Sequence, residues 1–194
     1  MSNPNNTTPA TNINNLSLLK AALAYSAHAR VFPLTPNTKL PLLQGNWASY
    51  ATQDPMQVIE WWTQHPTANI ALVMDTAFTC IDIDTKDGKD GAYSFNDLST
   101  TKSTVHQTTT SGGVHLIYRH PPTRQHPFHN ATNKGTHQGI DVRSGNAYIV
   151  VAPSVVDGKP YTCLLYTSPS PRDNQPHLVC RLQLEKGGGG GGGG

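Results

Sequence analysis

The chain has 194 residues, with 14 Lys and Arg against 12 Asp and Glu, a formal charge of +2 and three cysteines. So even a balance exerts no broad electrostatic pull on nucleic acid, and any contact with it must come from a local patch. No apolar run reaches membrane-spanning length, and the cysteines are too few for a disulfide framework or a Cys-rich zinc centre.

Residues 1–14, opening Met1-Ser2-Asn3-Pro4, are polar and lack the charged and apolar regions of a secretion signal. They read as a disordered lead-in, and the cytoplasm is the expected compartment. Asn14 or Asn15 can cap a helix with its apolar face along Leu16, Leu19, Leu23 and Ala27, feeding a short strand at Val31-Phe32. A second helix starts at Asp54-Pro55, with Asp as N-cap and Pro at the first position, and carries Val58, Trp61 and Trp62. The paired tryptophans read as helix packing rather than DNA stacking, with one of the two pointing away from the core. Strands are expected near 70–74 and 79–83, a short helix near 92–98, and further strands near 104–109, 114–118, 140–142 and 147–151. Helices on a largely antiparallel sheet, an α+β fold, follow from that order.

Three of these strands carry polar residues in chemically useful positions. In Ile81-Asp82-Ile83-Asp84 the strand period puts both carboxylates on one face, a pair of hard oxygen ligands suited to Mg²⁺ or Mn²⁺. An EF-hand is excluded, because Tyr93 stands where its bidentate Glu belongs; ordinary acids capping the turn at 84–88 are the plain alternative. The run Thr110-Ser111-Gly112-Gly113-Val114-His115 can wrap a phosphate with backbone N–H groups, add a hydroxyl and project a histidine; its plain alternative is a hairpin turn. In Gly139-Ile140-Asp141-Val142-Arg143, an acid and a guanidinium again share a face, as a third metal carboxylate beside a phosphate fork or as a surface ion pair. In this order the three segments supply metal ligands, phosphate cradle and charge neutralisation, the parts of a two-metal nucleotidyl transfer.

Together these motifs resemble those of the archaeo-eukaryotic primase superfamily, and more narrowly the bifunctional DNA primase/polymerase (prim-pol) N-terminal domain of plasmid, phage and mobile-element replication proteins. Val31-Phe32-Pro33-Leu34, Lys39-Leu40-Pro41, Trp47, Trp61-Trp62, Tyr148-Ile149-Val150-Val151 and Gly158-Lys159-Pro160-Tyr161 extend the resemblance. Ala71 and Asp75 depart from it, standing where family members often carry Gly. The resemblance implies an RRM-like catalytic sheet flanked by helices, with Asp82, Asp84 and Asp141 holding two divalent ions. Ser111, Gly112, Gly113 and His115 would meet the nucleotide's phosphates, with Arg143 at the same site and Lys39 as a further nucleotide contact. It implies a template-directed nucleotidyltransferase, with a single-stranded DNA template and nucleoside triphosphates as partners and a helicase in cis or in trans. The alternatives are a metal-dependent nuclease and a non-catalytic DNA-binding replication-initiator module.

Residues 163–194 resemble something else: the conceptual translation of a sequencing-library adapter and flow-cell primer, ending in a glycine run. They are expected to be non-biological, leaving 15–162 as a prim-pol catalytic domain cut short at its C-terminal side, with Cys80 as its single cysteine and a nearly neutral charge. His120, His126, His129 and His137 lie among Pro, Asn and Gly and read as loop histidines rather than zinc ligands.

Overall fold

A computed structural model of the protein describes residues 17–85, 105–120, 129–132, 138–145 and 147–164. The lead-in at 1–14, the helix expected at 92–98, His126, His137 and everything after 164 lie outside the described residues.

Helix α1 spans Leu18–Ser26, and its cap is Ser17 rather than Asn14 or Asn15: the Ser17 hydroxyl accepts the Lys20 N–H at 3.4 Å. A hydroxyl serves the exposed first-turn N–H groups as well as an amide does, so the cap falls where the buried face begins, at Ala21, Ala22 and Tyr25. Helix α2, Trp47–Tyr50, is one turn capped by Asn46 and too short to leave a periodic signature. Helix α3, Pro55–Gln64, starts as its sequence dictates, with Asp54 Oδ1 accepting the Met56 N–H at 2.9 Å. Neither tryptophan of α3 points away from the core, contrary to expectation; Trp61 is 7% exposed and Trp62 1%. Trp62 Nε1 donates to the Ala68 carbonyl at 2.9 Å, while Tyr50 of α2 packs edge-on to Trp61 with centroids 6.3 Å apart. The short α2 turn covers the indole that α3 alone would have left in water.

Strands β1 (Val31–Leu34), β2 (Asn69–Met74) and β8 (Ala147–Val151) form an antiparallel sheet in the order β1-β2-β8. Every residue of β1 and β2 is buried, so these segments read as continuous apolar runs instead of alternating ones. Helices α1 and α3 pack on β1 and β2, and the core continues through Phe78, Cys80 and Ile117 into the second sheet. That sheet has the order β11-β4-β5-β3-β7-β6, all antiparallel. Its strands are β3 (Phe78–Ile83), β4 (Val105–Thr108), β5 (Val114–Arg119), β6 (Ala131–Thr132), β7 (Ile140–Arg143) and β11 (Thr162–Leu164). A hairpin of β9 (Val155–Val156) and β10 (Lys159–Pro160) links β8 to β11. Asp75, one of the departures from the family pattern, closes the β2–β3 turn by accepting the Ala77 N–H at 3.0 Å.

The α+β class stands, with few helices and antiparallel sheets. The strands with the three motifs gather in the larger sheet, and the described helices cover the smaller one. The larger sheet runs past the boundary expected at 162: Cys163 pairs with Gln107, Leu164 with His106, and Cys163 is buried. Edge pairing is made by the main chain and covers the open side of β4. A chain ending at Thr162 is therefore expected to be less stable than one ending at Leu164 by about 1–2 kcal/mol, which thermal melts of the two will measure.

Candidate active site

Antiparallel register builds the site. Asp82 of β3 stands directly opposite His115 of β5 on one side and Asp141 of β7 on the other, and His115 is in turn opposite Gln107 of β4. Residues opposite one another project from the same face, so Gln107, His115, Asp82 and Asp141 form a row across four strands. Arg143, two residues along β7, reaches back with Nη2 2.8 Å from Asp141 Oδ2 and 3.7 Å from Asp82 Oδ2, while His115 Nε2 lies 3.5 Å from Asp82 Oδ1. Burial alone would raise the Asp82 pKa. The His115 hydrogen bond and the charges of Arg143 and Lys39 together outweigh it and hold the carboxyl below its ordinary value. Burial, reinforced by the Asp82 charge, pushes the neighbouring Cys80 thiol well up, so it is no nucleophile.

Asp82 and His115 of this row open into a cleft of about 440 Å³ between the two sheets, lined also by Arg143, Lys39, Tyr161, Trp47 and Tyr148, among others. Lys39 is thus brought to the site from a segment far away in sequence. Trp47 and Tyr148 form an aromatic wall: Trp47 stacks on Phe32 at 5.2 Å, Tyr148 meets Trp47 edge-on at 5.2 Å, and the Tyr148 hydroxyl donates to the Lys39 carbonyl at 3.1 Å. Tyr161 places its ring 5.9 Å from that of His115. Trp47, Tyr148 and Tyr161 belong to the stretches that carry the family resemblance, but no spacing rule assigns them to the site. Gln107 had no signal beyond being a polar residue in a strand.

Other expected residues stand apart. Asp84 lies just past β3, its N–H donating to the Gly139 carbonyl at 2.7 Å, and it does not line the cleft. Among the described residues, no three His, Cys, Asp or Glu side chains gather closely enough to hold an ion. The Ser111-Gly112-Gly113 segment is a hairpin turn between β4 and β5 and faces a separate cavity of about 490 Å³, with Thr110, Asp157 and Lys159. Its glycines have structural reasons. Gly112 sits at φ +83°, and its N–H is spent on the Thr109 carbonyl; a Cβ on Gly113 would collide with the Ile83 carbonyl oxygen. His120, just past the end of β5, is buried, with Nε2 2.8 Å from Thr79 Oγ1, whose hydroxyl donates to Ser144 at 3.0 Å. His129 is exposed.

With this geometry in view, the family description for bifunctional DNA primase/polymerase, N-terminal, matches residues 21–176, most of the chain. The chain belongs to that family. Its function is accordingly of the DNA primase/polymerase type. No curated protein matches the prim-pol chain. No helix among its described residues is long and apolar enough to cross a membrane.

Two outcomes follow for the prim-pol site. Because the Asp82 carboxyl titrates below its ordinary value, its charge contributes stability above that value, and the contribution fades as pH falls through the lowered one. The stability difference between wild type and Asp82→Asn should therefore be constant near neutrality and shrink below about pH 4, as read from urea melts across the acid range. Gly113→Ala should cost about 2 kcal/mol in the same assay, because the added methyl meets a main-chain oxygen that cannot move without disturbing β3.

Proposed function

We propose that this domain is a template-directed nucleotidyltransferase of a plasmid, phage or mobile-element replication protein, starting or extending strands from nucleoside triphosphates on single-stranded DNA. The observation that carries the reading is the Asp82–Asp141 pair across β3 and β7, flanked by His115 and Arg143, with Asp82, His115 and Arg143 lining a cleft that also holds Lys39 and an aromatic wall. The donor set fits divalent cations: two half-buried carboxylates side by side are hard oxygen ligands, and the Arg143 guanidinium between them marks where positive charge is wanted. Asp82 and Asp141 would hold Mg²⁺ or Mn²⁺, while Asp84, the third carboxylate expected from the sequence, lies outside the cleft. When bound, such ions neutralise phosphoryl charge and activate a 3′-hydroxyl.

The side chains divide the remaining work. Lys39 and Arg143 attract the triphosphate, and Arg143 can present two parallel N–H groups to a phosphate. His115 donates from a buried position that water reaches poorly. Trp47 and Tyr148 offer the base an apolar surface at the opposite side of the same cleft. Ser111, with Lys159, suits a more distant phosphate of the substrate. A helicase, in cis or in trans, would supply the single strand.

Incubating the protein with single-stranded template, Mg²⁺ or Mn²⁺ and labelled nucleotides, with and without primer, tests the reading. Incorporation is expected, with loss of about 10²–10³-fold in Asp82→Asn and Asp141→Asn. Degraded template without incorporation would make the protein a nuclease, and template binding with neither activity would make it an initiator module.

A further inference from the structure

Gln107 is 2% exposed, and all of its polar atoms are engaged. Its Oε1 accepts the Ala152 N–H at 2.7 Å, and its Nε2 donates to the Val150 carbonyl at 2.7 Å. Both partners are main-chain groups of fixed chemistry, one only a donor and the other only an acceptor, so the orientation of the amide is settled independently of the histidine. The remaining N–H of Nε2 faces His115 Nδ1 at 3.1 Å. An N–H can be opposed there only by a lone pair. The neutral ring must therefore carry its proton on Nε2, the atom 3.5 Å from Asp82 Oδ1.

We propose that Gln107 is a positioning residue that holds His115 in its Nε2–H tautomer, so that the ring presents a donor to the cleft. Asp82 favours the same tautomer, but only while its Oδ1 is free to accept. Once that oxygen is engaged by anything entering the cleft, the amide of Gln107 on the opposite edge of the ring is what keeps the proton on Nε2. The other tautomer would turn a lone pair toward an anionic ligand and repel it. The position serves this role because β4 lies beside β5 while its side chain reaches β8, so the amide is anchored to the smaller sheet and acts on the larger. The consequence for nucleotide binding rests on the function proposed above; the tautomer itself does not.

The ¹⁵N signals of the His115 ring report the tautomer directly in the full chain. Nδ1 is expected to be unprotonated in the wild type, and protonated in Gln107→Glu, where a carboxylate accepts in place of the amide donor. Kinetics then separate positioning from packing. Gln107→Met should raise the nucleotide KM by about three- to tenfold with template affinity unchanged, and add nothing in a His115→Ala background, although the melting temperature falls in both because Val150 and Ala152 lose their partner. A protonated Nδ1 in the wild type, or a KM increase equally large without His115, overturns the proposal. If the ring is Nε2–H but neither His115→Ala nor Gln107→Met alters the nucleotide KM, the tautomer assignment stands and the nucleotide-site reading falls.

Discussion

Two carboxylates, Asp82 and Asp141, face each other across adjacent strands in a half-buried position, and the surrounding site is arranged around compensating them. Like charges so placed repel, and partial burial weakens the screening that water would give. The protein answers with positive charge from two separate segments, Arg143 on the strand of Asp141 and Lys39 from the loop after β1, and with the His115 ring on the opposite neighbour as a hydrogen-bond donor. Asp82 is thereby kept charged instead of being protonated into silence. A nucleoside triphosphate entering this cleft would draw on the same Lys and Arg and leave the carboxylates short of positive charge. Such a ligand has reason to arrive with cations of its own.

The periodicity of the sequence carries the strands well, because a two-residue alternation in Ile81-Asp82-Ile83-Asp84 and Ile140-Asp141-Val142-Arg143 leaves few other conformations. It also places Asp82, His115, Asp141 and Arg143 as site residues, since each lies on a strand in a recognisable motif. What it cannot reach are contacts made between segments distant in sequence. Gln107 meets Val150 and Ala152, Tyr161 meets His115, and Tyr148 meets Lys39, each across a gap that no local pattern spans. The glycine pair shows a second limit. A Gly-Gly turn reads the same whether it wraps a phosphate or merely lets two strands approach, and here the Ile83 carbonyl next to Gly113 supplies a sufficient reason for the missing side chain. The tryptophan pair shows a third, for a four-residue helix with no periodicity decided the exposure of Trp61.

Stability and chemistry share parts in this fold. The cleft lies on the seam between the two sheets, and the same aromatic rings that close the core under β1 form its wall: Phe32 is fully buried, Trp47 stacks on it, and Tyr148 meets both. Gln107 similarly ties β4 to β8 while touching the histidine of the site. Substitutions in this seam will rarely affect binding without affecting folding, so double-mutant comparisons are the informative kind here.

The row of one residue per strand also governs which changes of length a gene of this kind can accept. Gln107, His115, Asp82 and Asp141 meet because four strands hold a single register, and a one-residue insertion within β3, β5 or β7 would turn the following part of that strand over, sending its polar residue to the opposite face. The segments joining β3 to β4 and β5 to β7 carry no such restriction, unlike the short β4–β5 hairpin, whose length fixes its register. Related genes should therefore differ freely in the spacing between the three motifs while admitting no insertion or deletion inside them.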